Sequence, residues 1–153
     1  MADKVTLSVV KASVGGLAGR ATVHDSILSK AREVLSHAVE RNIILDHYVT
    51  HVGDDLDIIL THTRGENNRE IHKLAWDTFT TCTETAKELK LFGAGYDLLS
   101  DAFNGTLRGM GPGFAEMEVL ERPNESVVVF MANKCGPGAG NLPLPPVFAA
   151  PFT

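Results

Sequence analysis

The chain has 153 residues, of which 44% are hydrophobic and 22% charged, and its formal net charge is −5. This length suits one domain with its own core, and the composition is that of a globular chain rather than a disordered one. An acidic balance without a Lys/Arg cluster argues against nucleic-acid binding, and the apolar runs are far shorter than the ~20 residues that span a bilayer.

The cysteine spacing and the N-terminal residues indicate the cellular compartment of the protein. Cys82 and Cys135 have no metal-like spacing, so we expect neither a disulfide framework nor a structural zinc site. The N-terminus lacks a basic region followed by an apolar one, so we expect no signal peptide. Together these features predict a cytoplasmic, thiol-reduced protein.

The first predicted elements are a strand and an amphipathic helix. The β-branched residues of 5–10 alternate, which favours a strand. Apolar residues on one helical face predict a helix over 26–41, with Asp25 or Ser26 as its N-cap. Asn42 is a plausible stop, because Asn tolerates the left-handed conformation after a helix.

A hairpin and a second helix follow. The β-rich runs 43–52 and 56–63 are separated by Gly53-Asp54-Asp55, and a short connection with Gly is typical of a hairpin. Apolar residues at three- and four-residue steps predict a helix over 68–90. Asn67 with Glu70 resembles a capping box, and Lys87 and Lys90 are placed in the last turn, where the helix dipole favours cations.

The last third of the chain is rich in glycine and proline. Residues 93–113 form a long Gly-dense stretch, with a short helical turn expected around 97–103. Residues 115–121 and 126–132 predict a second strand pair, and 136–153 shows no pattern. The order of elements predicts an α+β fold, with an antiparallel or mixed sheet and helices on one face.

Asp54 and Asp55 are the first candidate site. Two carboxylates at a turn suit Mg²⁺, which prefers oxygen ligands. The alternative is that these residues only form the turn, since Gly and Asp are common turn residues. From the spacing alone we favour this alternative.

Three further candidates have structural alternatives that we favour. The Gly93–Gly95 and Gly109–Gly113 runs could bind phosphate through backbone N–H groups, but tight turns explain them as well. His47, His51 and His62 lie on the hairpin strands, where hydrogen-bonded sheet histidines are the simpler reading. Lys134, just after a predicted strand, could meet a phosphate, or it could be a solvated surface residue.

Five runs of the sequence carry a family resemblance: KASVGGLAG, ILDHYVTHVGDDL, THTRGE, DLLSDAFNGTLRGMGPGFAEME and NLPLPPVFAAPF. Together they resemble the N-terminal part of the archaeal-type fructose-1,6-bisphosphate aldolase/phosphatase family. The similarity extends from about Val5 to Phe152, and the Gly-rich run and the hairpin at Gly53 are its most specific parts.

The resemblance implies a fold and an activity. Members of this family make fructose-1,6-bisphosphate from triose phosphates and then remove the 1-phosphate, using several Mg²⁺ ions and a Schiff-base lysine. They form octamers, and each chain is a four-layer α-β-β-α sandwich, of which this chain would supply half. Members are more than twice as long and carry the Schiff-base lysine in the C-terminal half. We therefore expect residues 1–153 to be an N-terminal portion, truncated within 136–153.

Site residues carry over only in part. By resemblance, Asp54 and Asp55 match the family's metal-binding pair. Lys134 matches a lysine that binds substrate phosphate. Gly105 matches the first residue of a Gly-Asn pair that contacts substrate, and Thr106 replaces its Asn.

Five family site positions are substituted in this chain. Ser13 and Asn133 stand where the family has metal-binding Asp residues, Arg20 where it has a His, Tyr96 where it has a metal-binding Gln, and Phe92 where it has a substrate-contacting Tyr. Clustered Mg²⁺ ions need anionic oxygen to offset their mutual repulsion. We therefore expect Mg²⁺ binding to be weak or absent and no catalytic residue in this chain.

Three hypotheses follow. The chain is the N-terminal portion of a bifunctional enzyme that handles fructose-1,6-bisphosphate or triose phosphates. Alternatively, it is a degenerate, non-catalytic relative or an assembly partner of a full-length enzyme. The third is an unrelated α+β binding module. Exposed apolar residues in the C-terminal segment favour a homo-oligomer.

Overall fold

The sheet is built from two hairpin strands and two further strands. A computed structural model describes residues 3–17, 21–91, 93–94, 112–123 and 126–133. Its elements in chain order are β1 (Lys4–Ser13), α1 (Asp25–Glu40), β2 (Asp46–Val52), β3 (Asp55–His62), α2 (Arg69–Glu88) and β4 (Gly113–Leu120). The strand order is β2-β3-β1-β4, and every neighbouring pair is antiparallel. The predicted α+β class is confirmed, with the antiparallel form of the sheet.

Both helices pack with one face of the sheet in a single core. The period-2 alternation of β1 directs Val10 and Ala12 to this face, and Leu56, Ile58 and Leu60 of β3 join them. From the helices come apolar residues at helical spacing: Ile27, Ala31, Leu35 and Ala38 of α1, and Ile71, Ala75, Phe79, Cys82 and Ala86 of α2. The opposite face of the sheet is therefore the side that holds Lys11, Asp55 and Asp57.

The helix ends differ from the predicted caps. His24, rather than Asp25 or Ser26, caps α1, because its ring Nδ1 accepts the Ser26 N–H at 3.1 Å. Asn42 follows the helix with φ +56°, as predicted for a stop residue. Asn68, rather than Asn67, caps α2.

Asn68 Oδ1 accepts the backbone N–H groups of both Glu70 and Ile71. Asn67 itself has φ +58°, a conformation that Asn tolerates, and so it lies outside the helix. Lys90 likewise lies beyond the last turn of α2, with φ +55°. Neither described helix is both long and apolar enough to cross a membrane.

One predicted strand is not formed among the described residues. Residues 126–133 belong to no strand in the structure, although 126–132 was expected to pair with β4. Strand preference reflects how well side chains fit a half-buried pleated surface. Val128 and Phe130 are 72% and 92% exposed, so no described part of the chain offers them such a surface. The helical turn predicted around 97–103 lies outside the described residues.

Candidate functional site

The β2–β3 hairpin presents two buried carboxylates at one end of the sheet. Val52 pairs with Asp55, so the connection is the two-residue turn Gly53-Asp54, one residue shorter than predicted. Gly53 has φ +58°, which a residue without Cβ adopts without strain. Asp54 and Asp55 are 1% and 7% exposed, so both carboxylates lie in an environment where an unbalanced charge is costly.

Ser13 and Gly16 pack against this pair. Ser13 is the register partner of Asp55 across the β1–β3 ladder. Gly16 lies so close to Asp54 that a Cβ on it would come within 2.9 Å of the Asp54 Cβ and Oδ2 atoms. The absence of a side chain at Gly16 therefore allows the backbone to approach the Asp54 carboxylate.

Asn133 completes the contact from a distant part of the chain. Its Nδ2 donates a hydrogen bond to Asp54 Oδ1 at 2.8 Å. An ionised carboxylate only accepts hydrogen bonds, so the amide nitrogen must face it. The structure therefore brings together positions 13, 54, 55 and 133, which the resemblance had assigned to one metal site.

Lys11 supplies a positive charge beside the pair. Its Nζ lies 3.2 Å from Asp55 Oδ2 in a partly buried ion pair and also donates to the backbone carbonyl of Ala132. The side-chain stem passes over Gly113, where a Cβ would lie 3.0 Å from the Lys11 Cγ and Cε atoms. Sequence reasoning missed Lys11, because its role depends on strand register.

Asp57 is a third carboxylate on the same face of β3. It is fully buried, and neither of its carboxylate oxygens has a hydrogen-bond partner within the described part of the chain. Burial raises the pKa of Asp57 to about 6, with a further contribution from Asp55, while Lys11 and His51 act in the opposite direction. Asp57 follows Asp55 by two residues, so on a strand both side chains lie on the same face, and this spacing could have identified Asp57 from the sequence.

These groups do not fit a cluster of Mg²⁺ ions. Mg²⁺ requires oxygen ligands in near-octahedral geometry, whereas an amide N–H faces Asp54 and an ammonium group faces Asp55. Within the described ranges, no group of three or more His, Cys, Asp or Glu side chains is arranged to hold a metal ion. The remaining predicted site positions lie outside the described residues: Arg20, Phe92, Tyr96, Gly105, Thr106 and Lys134.

The histidines on the hairpin strands make separate contacts. His47 Nε2 lies 3.3 Å from Ser36 Oγ, and burial lowers the pKa of His47. His51 Nδ1 lies 3.0 Å from the Gly53 carbonyl oxygen. The structure gives no support to a shared ligand role for these residues.

His62 belongs to a buried polar network with Ser8 and Glu116. The backbone N–H of Arg64 donates to His62 Nδ1 at 3.2 Å, so the ring proton is on Nε2, which lies 2.7 Å from Ser8 Oγ. Ser8 in turn donates to Glu116 Oε1 at 2.8 Å. Burial lowers the pKa of His62. Because His62 donates to Ser8, it is not placed as a base for that hydroxyl, and the network joins β1, β3 and β4.

A family model and individual relatives both place the chain in the same protein family. A family model described as fructose-1,6-bisphosphatase matches residues 4–153. Relatives named fructose-1,6-bisphosphate aldolase/phosphatase are 55% identical in Ignicoccus hospitalis, 54% in Sulfurisphaera tokodaii and 53% in Moorella thermoacetica. The alignments cover 99%, 97% and 99% of this chain but 39% of each relative. The chain thus spans about two fifths of the length of these curated relatives. Because the family model matches nearly the whole chain, the chain belongs to the fructose-1,6-bisphosphatase family.

Proposed function

We propose that this chain is a degenerate member of the fructose-1,6-bisphosphate aldolase/phosphatase family. It keeps the fold and the Asp54–Asp55 hairpin, and it does not by itself release phosphate from fructose-1,6-bisphosphate. The substrate class comes from the names of the relatives. The two cysteines without metal-like spacing support a cytoplasmic setting.

The hydrogen bond from Asn133 to Asp54 carries this proposal. By resemblance, an Asp at this position would point a second carboxylate at the same site. Here an amide N–H satisfies Asp54 instead. Ser13, beside Asp55 in the register, removes another carboxylate. The site therefore has two fewer negative charges than the family pattern, and these charges are what offset the repulsion between clustered divalent ions.

The aldol step depends on a residue beyond the matched region. A Schiff base requires a lysine amine at the reacting carbonyl, and the resemblance places that lysine in the part of the relatives that this chain does not span. The proposal therefore covers the activity of this polypeptide alone.

Phosphate release from fructose-1,6-bisphosphate tests the proposal. In excess Mg²⁺ we expect the wild-type chain to give no release above the blank. The variant S13D/N133D restores the two carboxylates, and we expect it to bind Mn²⁺ more tightly than wild type in a paramagnetic resonance titration. The control, Y48D/L89D, adds the same charge at exposed positions on β2 and at the end of α2, away from the hairpin turn. Turnover by the wild-type chain would contradict the proposal.

A second candidate function is assembly with a full-length relative. The exposed side chains of Val128 and Phe130 favour it, because apolar groups grouped on a surface often mark an interface. We expect the chain to co-purify with a full-length relative or to form a homo-oligomer, and we expect F130D to weaken either association. Light scattering that shows a monodisperse monomer, with no capture of the relative, would exclude this function.

A further inference from the structure

We propose that the buried network of Ser8, His62 and Glu116 is an acid-sensitive fastening of the edge strand β4. Protonation of the His62 ring releases β4 while the rest of the fold stays intact. The network lies on the helix-covered face of the sheet, away from the hairpin site, so this inference goes beyond the proposed function and does not depend on it.

β4 has few contacts besides its pairing with β1. Among the described strands it lies at the edge of the sheet. Three of its apolar side chains remain exposed to 43%, 43% and 46%: Phe114, Met117 and Leu120. Its Lys4–Glu118 ion pair is 71% exposed at the lysine, and exposed pairs contribute little. A strand of this kind is among the first elements to open, so its buried polar contacts decide how firmly it is held.

Glu116 is the buried polar anchor of β4. Its side chain is 5% exposed, and both carboxylate oxygens are used. Oε1 accepts the Ser8 hydroxyl at 2.8 Å, and Oε2 accepts the Asn67 backbone N–H at 2.7 Å. The anchor therefore holds β4 to β1 and to the turn that leads from β3 into α2.

The neutral ring of His62 sets the direction of these hydrogen bonds. Nδ1 accepts the Arg64 backbone N–H at 3.2 Å, so the one ring proton lies on Nε2, 2.7 Å from the Ser8 oxygen. A second ring proton on Nδ1 would face the Arg64 N–H, donor against donor. Arg64 and Asn67 belong to the same turn, so displacement of this turn by a protonated ring also takes a hydrogen bond from Glu116.

The groups around His62 determine the sign of the pH effect. Burial is the largest influence and lowers the pKa of His62 from its ordinary 6.5. Glu116 on β4 opposes this change, whereas Arg64 and His72 on α2 add to it. The stability that neutral His62 contributes is therefore fully present above pH 6.5 and is lost as the pH falls through the lowered pKa.

Release of β4 would change the surroundings of the hairpin site. Gly113, the first residue of β4, lies against the Lys11 stem, and Lys11 pairs with Asp55. Release would also leave the edge of β1 unpaired, and an unpaired edge is available to a strand of another chain. The network therefore couples acid to the exposure of a pairing edge.

Amide hydrogen exchange at pH 7 and pH 5, read as protection factors, tests this coupling across the range in which histidine titrates. In wild type we expect protection in 114–120 to fall about tenfold at the lower pH, with the amides of Ile58 and Phe79 unchanged. His62→Gln keeps an N–H donor for Ser8 and does not ionise, so its β4 protection should be equal at both pH values. The matched control, His37→Gln at an exposed position of α1, should behave like wild type.

Three outcomes would overturn the role of His62. The first is an unchanged β4 protection in wild type at pH 5. The second is a fall that persists in the folded neutral variant; His62→Asn, whose Oδ1 can accept the Arg64 N–H, is used if H62Q does not fold. The third is an equal fall at Ile58 and Phe79, because acid would then unfold the whole chain rather than release one strand.

Discussion

Replacement of Asp57 by Asn should stabilise the protein at neutral pH. Asp57 is fully buried, and its carboxylate oxygens have no hydrogen-bond partner among the described residues. A pKa of about 6 instead of the ordinary 3.8 means that ionising Asp57 costs the folded state up to ~3 kcal/mol. Asn has nearly the same shape and carries no charge. We expect D57N to be more stable than wild type by about 1–3 kcal/mol at pH 8.

The pH dependence follows from the sign of this pKa change. The folded-state pKa of Asp57 is raised, so its contribution to stability is fully present below pH 3.8 and is lost as the pH rises through about 6. The stability difference between D57N and wild type should therefore be small near pH 4 and grow up to about pH 7.

Urea unfolding in EDTA at several pH values measures this difference. The control is Asp77→Asn, at an exposed position paired with Lys73 on α2, where we expect a change within about 0.5 kcal/mol at every pH. A D57N protein that is less stable than wild type at pH 8, or a stability difference that does not vary with pH, would refute the reasoning.

Three further predictions concern the core and the helix caps. Ser8→Ala removes one hydrogen-bond partner from buried His62 and one from Glu116, and should cost about 1–3 kcal/mol in urea unfolding; a cost near zero would contradict the network. Asn68→Ala removes the N-cap of α2 and should cost ~1 kcal/mol, read as a lower thermal midpoint. Burial raises the pKa of the Cys82 thiol to about 12, so in a Cys135→Ser background a thiol reagent should label Cys82 only after unfolding. Rapid labelling of the native protein would contradict that placement.

Much of the fold could be predicted because one face of each helix and of the sheet is apolar. The periodicity of α1 and α2 predicted their existence and their bounds to within two residues. The caps were missed where an unusual residue, such as His24, accepts the backbone N–H. The segment 126–132 was predicted as a strand from its β-branched residues alone, although pairing also depends on an available partner edge and a covering surface.

The candidate site could be predicted only where its residues are adjacent in sequence. Asp54 and Asp55 are visible as a turn pair, and the structure places them together at the end of the hairpin. Lys11 is visible only once the register of β1 with β3 and β4 is known. The contact of Asn133 with Asp54 joins residues far apart in the chain, so no local pattern indicates its geometry.

Calorimetric titration of Mg²⁺ into the wild-type chain, with fructose-1,6-bisphosphate present, tests the central claim most directly. If Asn133 and Ser13 leave the Asp54–Asp55 site two carboxylates short of the family pattern, the titration should show no saturable binding to the chain in the millimolar range, once the binding of Mg²⁺ to free fructose-1,6-bisphosphate is subtracted. Saturable binding of two or more Mg²⁺ ions per chain, abolished by D54N/D55N, would contradict the account.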